Sequence, residues 1–304
     1  MFANALWVMS GTALLGLAAG VLGTFSLLRR RALMGDVLAH ATLPGVVLAY
    51  MATGTKAAGP LLAGAAATGV LGVLAVLAIT RYSRVKEDAA MSIVLTVFFG
   101  IGILLLGVAQ RMPGGNQSGL DRFLFGQAAA IVPRDVRLIM AVAAALCLLV
   151  LLFYKEFKLL AFDRDFGAGL GFPMTALDLL LSLGVVTAVV IGLEAVGVVL
   201  MAALLTTPAM AARYWTNRLS AMVPLAGLFG AASGVAGTLA SQVGPRMPTG
   251  PLIVLAGSVF FLVSLLAGPE RGLLVRLFRF MHARARTRPT QHRLQPQARG
   301  GDGA

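Results

Sequence analysis

Long apolar runs, separated by short stretches rich in charge, proline or glycine, recur along the whole chain. They lie near residues 3–28, 34–53, 57–80, 89–110, 137–153, 175–193, 196–212, 220–241 and 250–267. A helix needs ~20 predominantly apolar residues to cross the hydrocarbon of a bilayer. The pattern therefore predicts an all-α, polytopic integral membrane protein with about nine spans. The count becomes eight or ten if the segment around 194–212 is re-entrant, because Glu194, Gly197 and Pro208 interrupt its apolar pattern. The first 28 residues carry no charge. They lack a basic start and a cleavage site and exceed the ~7–15 residues of a signal-peptide core, so they read as a retained span.

Composition agrees. Of 304 residues, 58% are hydrophobic and 12% charged, whereas a soluble domain is about 25% charged. The net charge of +13 raises the question of nucleic acid, but the basic residues sit at the ends of apolar runs and in the last 34 positions. They line no binding face, so nucleic acid is excluded as a partner and the charges read as topology signals. With the N-terminus outside and the spans alternating, 19 of the 25 lysines and arginines fall inside and six outside. The positive-inside rule then gives N-terminus out, C-terminus in. The single cysteine, Cys147, rules out a disulfide framework or a thiolate metal cluster.

Residues 1–281 form the expected transmembrane domain, and 282–304, polar, basic and rich in Pro, Gly and Gln, an expected disordered cytoplasmic tail. Small residues mark expected close helix contacts: Gly16 and Gly20 in the first span, and Gly227, Gly230, Gly234 and Gly237 on one face of another. Such faces let backbones approach in lipid and imply a compact bundle or a dimer face.

No GxxxxGK[ST], HExxH, CxxC or GxSxG motif occurs in the sequence, so the chain is expected to catalyse no covalent reaction, and any ATP it uses must be bound by another chain. The polar groups within spans are few: Asp36, His40, Asp178, Glu194 and Gln242. An ionisable residue at a span's centre costs ~2.5–3.5 kcal/mol, which makes each a functional candidate. Asp36 and His40 stand four apart, on one helix face. A carboxylate oxygen and an imidazole nitrogen suit Mn²⁺, Fe²⁺ or Zn²⁺ in transit. The same spacing is open to a blander reading, with Asp36 capping the second span and His40 a satisfied core histidine. Pro44 and Gly45 disturb the helix one turn later and free carbonyls that can line a pathway. Asp178 reads as a helix-start charge. Glu194 reads as a loop carboxylate or a gate, and Pro208 joins Pro44, Gly45 and Glu194 as a gate or pathway position.

Six stretches carry a resemblance: GDVLAHATLPGVVLAY (35–50), EDAAMSIVLTVFFGIGILLL (87–106), GLDRFLFGQAA (119–129), LLAFDRDFGAGLGFP (159–173), VGVVLMAALLTTPAMAAR (196–213) and RMPTGPLIVLAGSVFFLVSLL (246–266). In this order they resemble the ABC-3 family, permeases of bacterial manganese, zinc and iron importers, over roughly residues 10–275. The resemblance implies a type II ABC importer-like permease in the bacterial inner membrane, with no permanently bound cofactor and a divalent metal ion as cargo. Its implied partners are a cytoplasmic ATP-binding subunit, an extracytoplasmic metal-binding protein and a second permease copy or paralogue. Asp36 and His40 occupy the family's GD-x-x-x-H pattern, which projects toward the translocation path, with Ala39 where serine is frequent. The loop FDRDFGAGLGFP takes the place of the coupling helix that docks into the ATPase, with Phe162 as apolar anchor and Asp163 as cap or polar contact. Gly167, standing where alanine is usual, and Gly169 weaken that helix, so it is expected to order only against its partner; Gly171 completes the loop. The stretch GNQSGLDRFLFGQ (115–127) is more similar to the manganese branch.

Three rivals remain. A permease for siderophore, haem or cobalamin needs a wide apolar path without a ligating pair. An ion-coupled secondary transporter usually shows inverted repeats, of which none is detected. An intramembrane enzyme using Asp36 and His40 as acid and base lacks a nucleophile or second carboxylate.

Overall fold

A computed structural model describes residues 2–111, 133–244 and 247–275. Its helices are α1 (Phe2–Leu28), α2 (Met34–Ala41), α3 (Leu43–Thr53), α4 (Ala58–Tyr82), α5 (Glu87–Gln110), α6 (Pro133–Leu152), α7 (Tyr154–Phe162), α8 (Arg164–Gly169), α9 (Met174–Val196), α10 (Val198–Trp215), α11 (Leu219–Ser241) and α12 (Thr249–Ala267). No strand occurs among the described residues. The basic tail at 282–304 and the stretch 115–127 lie outside them.

The predicted spans and the helices agree to within a few residues at each end, because lipid makes backbone hydrogen bonding obligatory and helix the direct solution. Among the described residues, eight segments are long and apolar enough to cross a membrane, α2 and α3 counting as one. The eighteen-residue α10 occupies the place of the predicted span at 196–212. Gly197, at φ +85°, joins α9 directly to α10, and that left-handed conformation is one that L side chains rarely adopt.

Burial separates the spans into two groups. Two-thirds or more of the apolar window is buried in α1, in α2 with α3, and in α9, against 17% in α5 and 22% in α12. Leu104, Leu151 and Leu262 are exposed on the outer helices. That surface, costly in water, is what a lipid-facing helix presents. The core is therefore α1, the α2–α3 pair and α9, with α10 wedged beside them through Met201, Leu204 and Leu205.

The glycine faces close the bundle from within the chain. A Cβ at Gly16 would overlap the Gly230 carbonyl, and one at Gly20 the Ala226 carbonyl, so α1 and α11 cross with their backbones in contact. Thr12 Oγ1 and Thr238 Oγ1, 3.1 Å apart, add a buried hydrogen bond at the same crossing. Of the two readings of these glycines, internal packing is the one realised. Replacing Gly230 with leucine is expected to force α1 and α11 apart at ~1–3 kcal/mol or more, read as a lower unfolding temperature in detergent. An unchanged temperature would show that the crossing tolerates the side chain.

Candidate functional site

Asp36 and His40 lie on α2, the short helix that opens the second span. The cap position is Leu33, so Asp36 is the third helical residue, in the first turn and beyond the capping position. One turn of helix brings His40 Nε2 to 3.3 Å from Asp36 Oδ1. Two ligands bound ~2.1 Å from one ion at the tetrahedral angle are themselves ~3.4 Å apart, so the pair has the bite of a shared transition-metal ion. Phe99 of α5 meets the imidazole edge to face at 4.8 Å between ring centroids. Nδ1 is buried and accepts or donates no hydrogen bond, which leaves Nε2, facing Asp36, as the nitrogen available to an ion.

The side chains are 42% (Asp36) and 21% (His40) exposed, so the pair opens outward from the chain and not into its core. Among the described residues, no three His, Cys, Asp or Glu side chains gather to hold a metal. Asp36 and His40 are therefore a pair of candidate ligands, with no third such side chain gathered beside them among the described residues.

The candidate gate positions separate in the structure. Pro44 has no N–H, so the His40 carbonyl four residues earlier loses its helical donor, and the helix breaks at Thr42 between α2 and α3. Thr42 Oγ1 bonds the Ala39 carbonyl at 2.7 Å, stitching the break. Gly45 meets Gly64 of α4 backbone to backbone, a packing contact. Glu194 is in the last turn of α9, and its side chain lies outside the described residues. Pro208 lines a small crevice with Thr207, Ser233, Ile253 and Gly257, a group that includes neither Asp36 nor His40.

The loop after α6 folds into two short helices. Asp163 caps α8, its Oδ1 accepting the Phe166 N–H at 2.9 Å. The far end closes with the Phe172 N–H on the Gly167 carbonyl and the Gly171 N–H on the Ala168 carbonyl, Gly171 standing at φ +87°. This is the hydrogen-bond pattern of a glycine-terminated helix. The expectation that α8 orders only against a partner is therefore corrected: these caps form within the chain. Gly167 is buried against Met174 and Leu159, where a Cβ would overlap the methionine, so its lost helix propensity is exchanged for close packing. Phe162, Phe166 and Leu170, four residues apart, are each about 60% exposed, and Phe172 is exposed beside them. The sequence reading named Phe162 alone; the four-residue spacing of the others was the available signal.

The largest correction concerns Asp178. It is no helix-start charge: it lies in the second turn of α9 with its side chain wholly buried. Arg29 Nη1 and Arg31 Nη1 both reach its Oδ1, at 2.6 and 2.7 Å. Arg31 also forks onto Glu87 at the start of α5, Nη2 to Oε1 at 2.6 Å and Nε to Oε2 at 3.0 Å. Two of the three arginines taken as topology signals are thus structural. Burial works against the charge of Arg31, but Glu87 and Asp178 outweigh it and hold its pKa above the ordinary value. Arg30 between them adopts φ +61°, a conformation uncommon outside glycine. The network also joins the turns at 29–33 and 83–87 to the α7–α8 region at one end of the bundle.

The model of the ABC 3 transport family matches residues 1–268. The manganese transport system membrane protein MntC of Bacillus subtilis is 52% identical over 284 residues, 93% of this chain and 65% of that protein, so the chain spans just under two thirds of that relative's length. The zinc transport system membrane protein TroC of Treponema pallidum is 50% identical, with 90% of this chain and 91% of that protein covered. Among solved structures, PsaBC from Streptococcus pneumoniae in complex with Fab is similar at a TM-score of 0.76 and 31% identity, covering 90% of this chain and 94% of that one.

Proposed function

The chain belongs to the ABC 3 transport family, and from that premise we propose that it is the permease subunit of an ATP-driven importer of Mn²⁺ or Zn²⁺, with Fe²⁺ as a further cargo. It is a membrane transport component. The observation that carries the metal assignment is the Asp36–His40 bite of 3.3 Å, open at the surface of the chain. Two ligands hold a cargo ion weakly enough to release it, as conduction requires. A second permease copy or paralogue, presenting its own pair, completes the shell. A wide apolar path for a chelate has no use for this pair, which sets the chelate reading aside.

An extracytoplasmic metal-binding protein delivers the ion, and a separate cytoplasmic subunit hydrolyses ATP. The exposed side chains of Phe162, Phe166, Leu170 and Phe172 form the apolar face that docks into that subunit, on the scaffold set by Asp163, Gly167 and Gly171. The N-terminus lies outside and the C-terminus inside the cytoplasmic membrane, with residues 1–281 as the transmembrane domain and 282–304 as a basic tail near anionic headgroups.

Reconstitution tests this reading. Proteoliposomes holding the chain with its ATP-binding subunit, and supplied outside with the metal-binding protein, are expected to take up ⁵⁴Mn or ⁶⁵Zn only with ATP in the cytoplasm-equivalent compartment. Uptake driven by an ion gradient without ATP would refute it. Phe162→Asp is expected to insert normally and to lose co-purification with the ATP-binding subunit, and full co-purification would remove Phe162 from the docking face.

A further inference from the structure

Asp178 sits between the docking loop and the helix that bears the candidate metal pair, and its bonding is lopsided. Both arginines crowd Oδ1, while Oδ2 is buried without a hydrogen bond. Arg164, 45% exposed and at the first position of α8, holds its Nη1 3.9 Å from Oδ2. That gap is too long for a hydrogen bond and short enough to close by a movement of about 1 Å. On the other side, Arg31 stands three positions before the first residue of α2, and Asp36 is the third residue of that helix. The left-handed Arg30 turns the backbone so that its two neighbours converge on one carboxylate.

We propose that Asp178 is a positioning residue that links α8 to α2: as α8 is pressed by its partner, Arg164 closes onto Oδ2, competes with Arg29 and Arg31 for the carboxylate, and shifts the turn that sets Asp36 and His40. The inference rests on α8 being the ATPase-docking helix. Arg31 carries the shift because its other face is fixed to Glu87, so weakening its Asp178 contact lets the α1–α2 turn pivot about α5. Charge competition suits this role. A buried carboxylate with two guanidiniums on one oxygen and a third within reach of the other has two arrangements open to it, and a switch between them is the two-state element that coupling requires.

The test uses the full chain with its ATP-binding subunit in proteoliposomes, and the readout is metal moved per ATP hydrolysed. Arg164→Gln is expected to lower that ratio about tenfold, within the usual range of coupling between sites, and Arg164→Lys to restore most of it. Co-purification of Arg164→Gln with the ATP-binding subunit is expected to persist. A normal ratio in Arg164→Gln overturns the link. So does loss of co-purification in that variant, which would make Arg164 a docking contact. If the wild-type chain itself fails to co-purify, the docking reading falls first and takes the inference with it.

Discussion

Asp178→Leu is expected to leave the chain unable to assemble at wild-type yield, with a loss of about 3–5 kcal/mol. The substitution strands Arg29 and Arg31, both nearly buried, without their shared carboxylate. Arg31 keeps Glu87, which is 42% exposed, so Arg29 bears most of the cost. The penalty comes from uncompensated buried charge more than from a lost attraction, and this has a checkable corollary. Replacing all three residues, Arg29→Leu, Arg31→Leu and Asp178→Leu together, is expected to recover much of the stability, since an apolar substitute for a whole buried ionic cluster is often neutral. Glu87, half in solvent, tolerates the loss of its partner. Thermal unfolding in detergent and yield of inserted protein read both effects. A single variant as stable as wild type would show that the arginines find other anions or water. The triple variant is also expected to be poor at transport, because it keeps the packing and removes the link to α8.

The span map was legible because lipid enforces a single solution for each long apolar run, and the helices fall where those runs do. The Asp36–His40 pair was legible for a similar reason: four-residue spacing on a helix fixes proximity without any knowledge of the fold. Asp178 was not. Its partners lie 147 and 149 residues away, and nothing local marks a carboxylate as paired with distant arginines. The available hint was its depth, a full turn past the start of an apolar helix behind Pro173, where a mere helix-start charge has little to gain. The break at Thr42 was half-legible, since Pro44 announces that the His40 carbonyl loses its helical donor but not that the helix divides at Thr42, whose hydroxyl bonds the Ala39 carbonyl. The glycine stripe on α11 announced a close contact without naming its partner; the choice of α1 over a second copy required the fold.

The second large effect belongs to the proposed metal pair. Removing either member leaves the chain one ligand to offer a divalent ion against its hydration shell and breaks the shell that a second copy is proposed to complete, so Asp36→Asn and His40→Ala are each expected to bring transport to background. Both side chains reach the surface of the chain, and neither anchors the core, so insertion and unfolding temperature are expected to stay near wild type. His40→Ala also removes the ring from Phe99, a contact worth ~0.5–1.5 kcal/mol, too little to unfold the bundle.

Radiotracer uptake of Mn²⁺ and Zn²⁺ by proteoliposomes carrying the wild-type chain, Asp36→Asn or His40→Ala, each with the ATP-binding subunit and with the metal-binding protein outside, puts the central claim to the test. The account predicts ATP-dependent accumulation by the wild type and background accumulation by both variants at equal protein incorporation. Wild-type accumulation by both variants would contradict it, and would place the cation path elsewhere in the bundle.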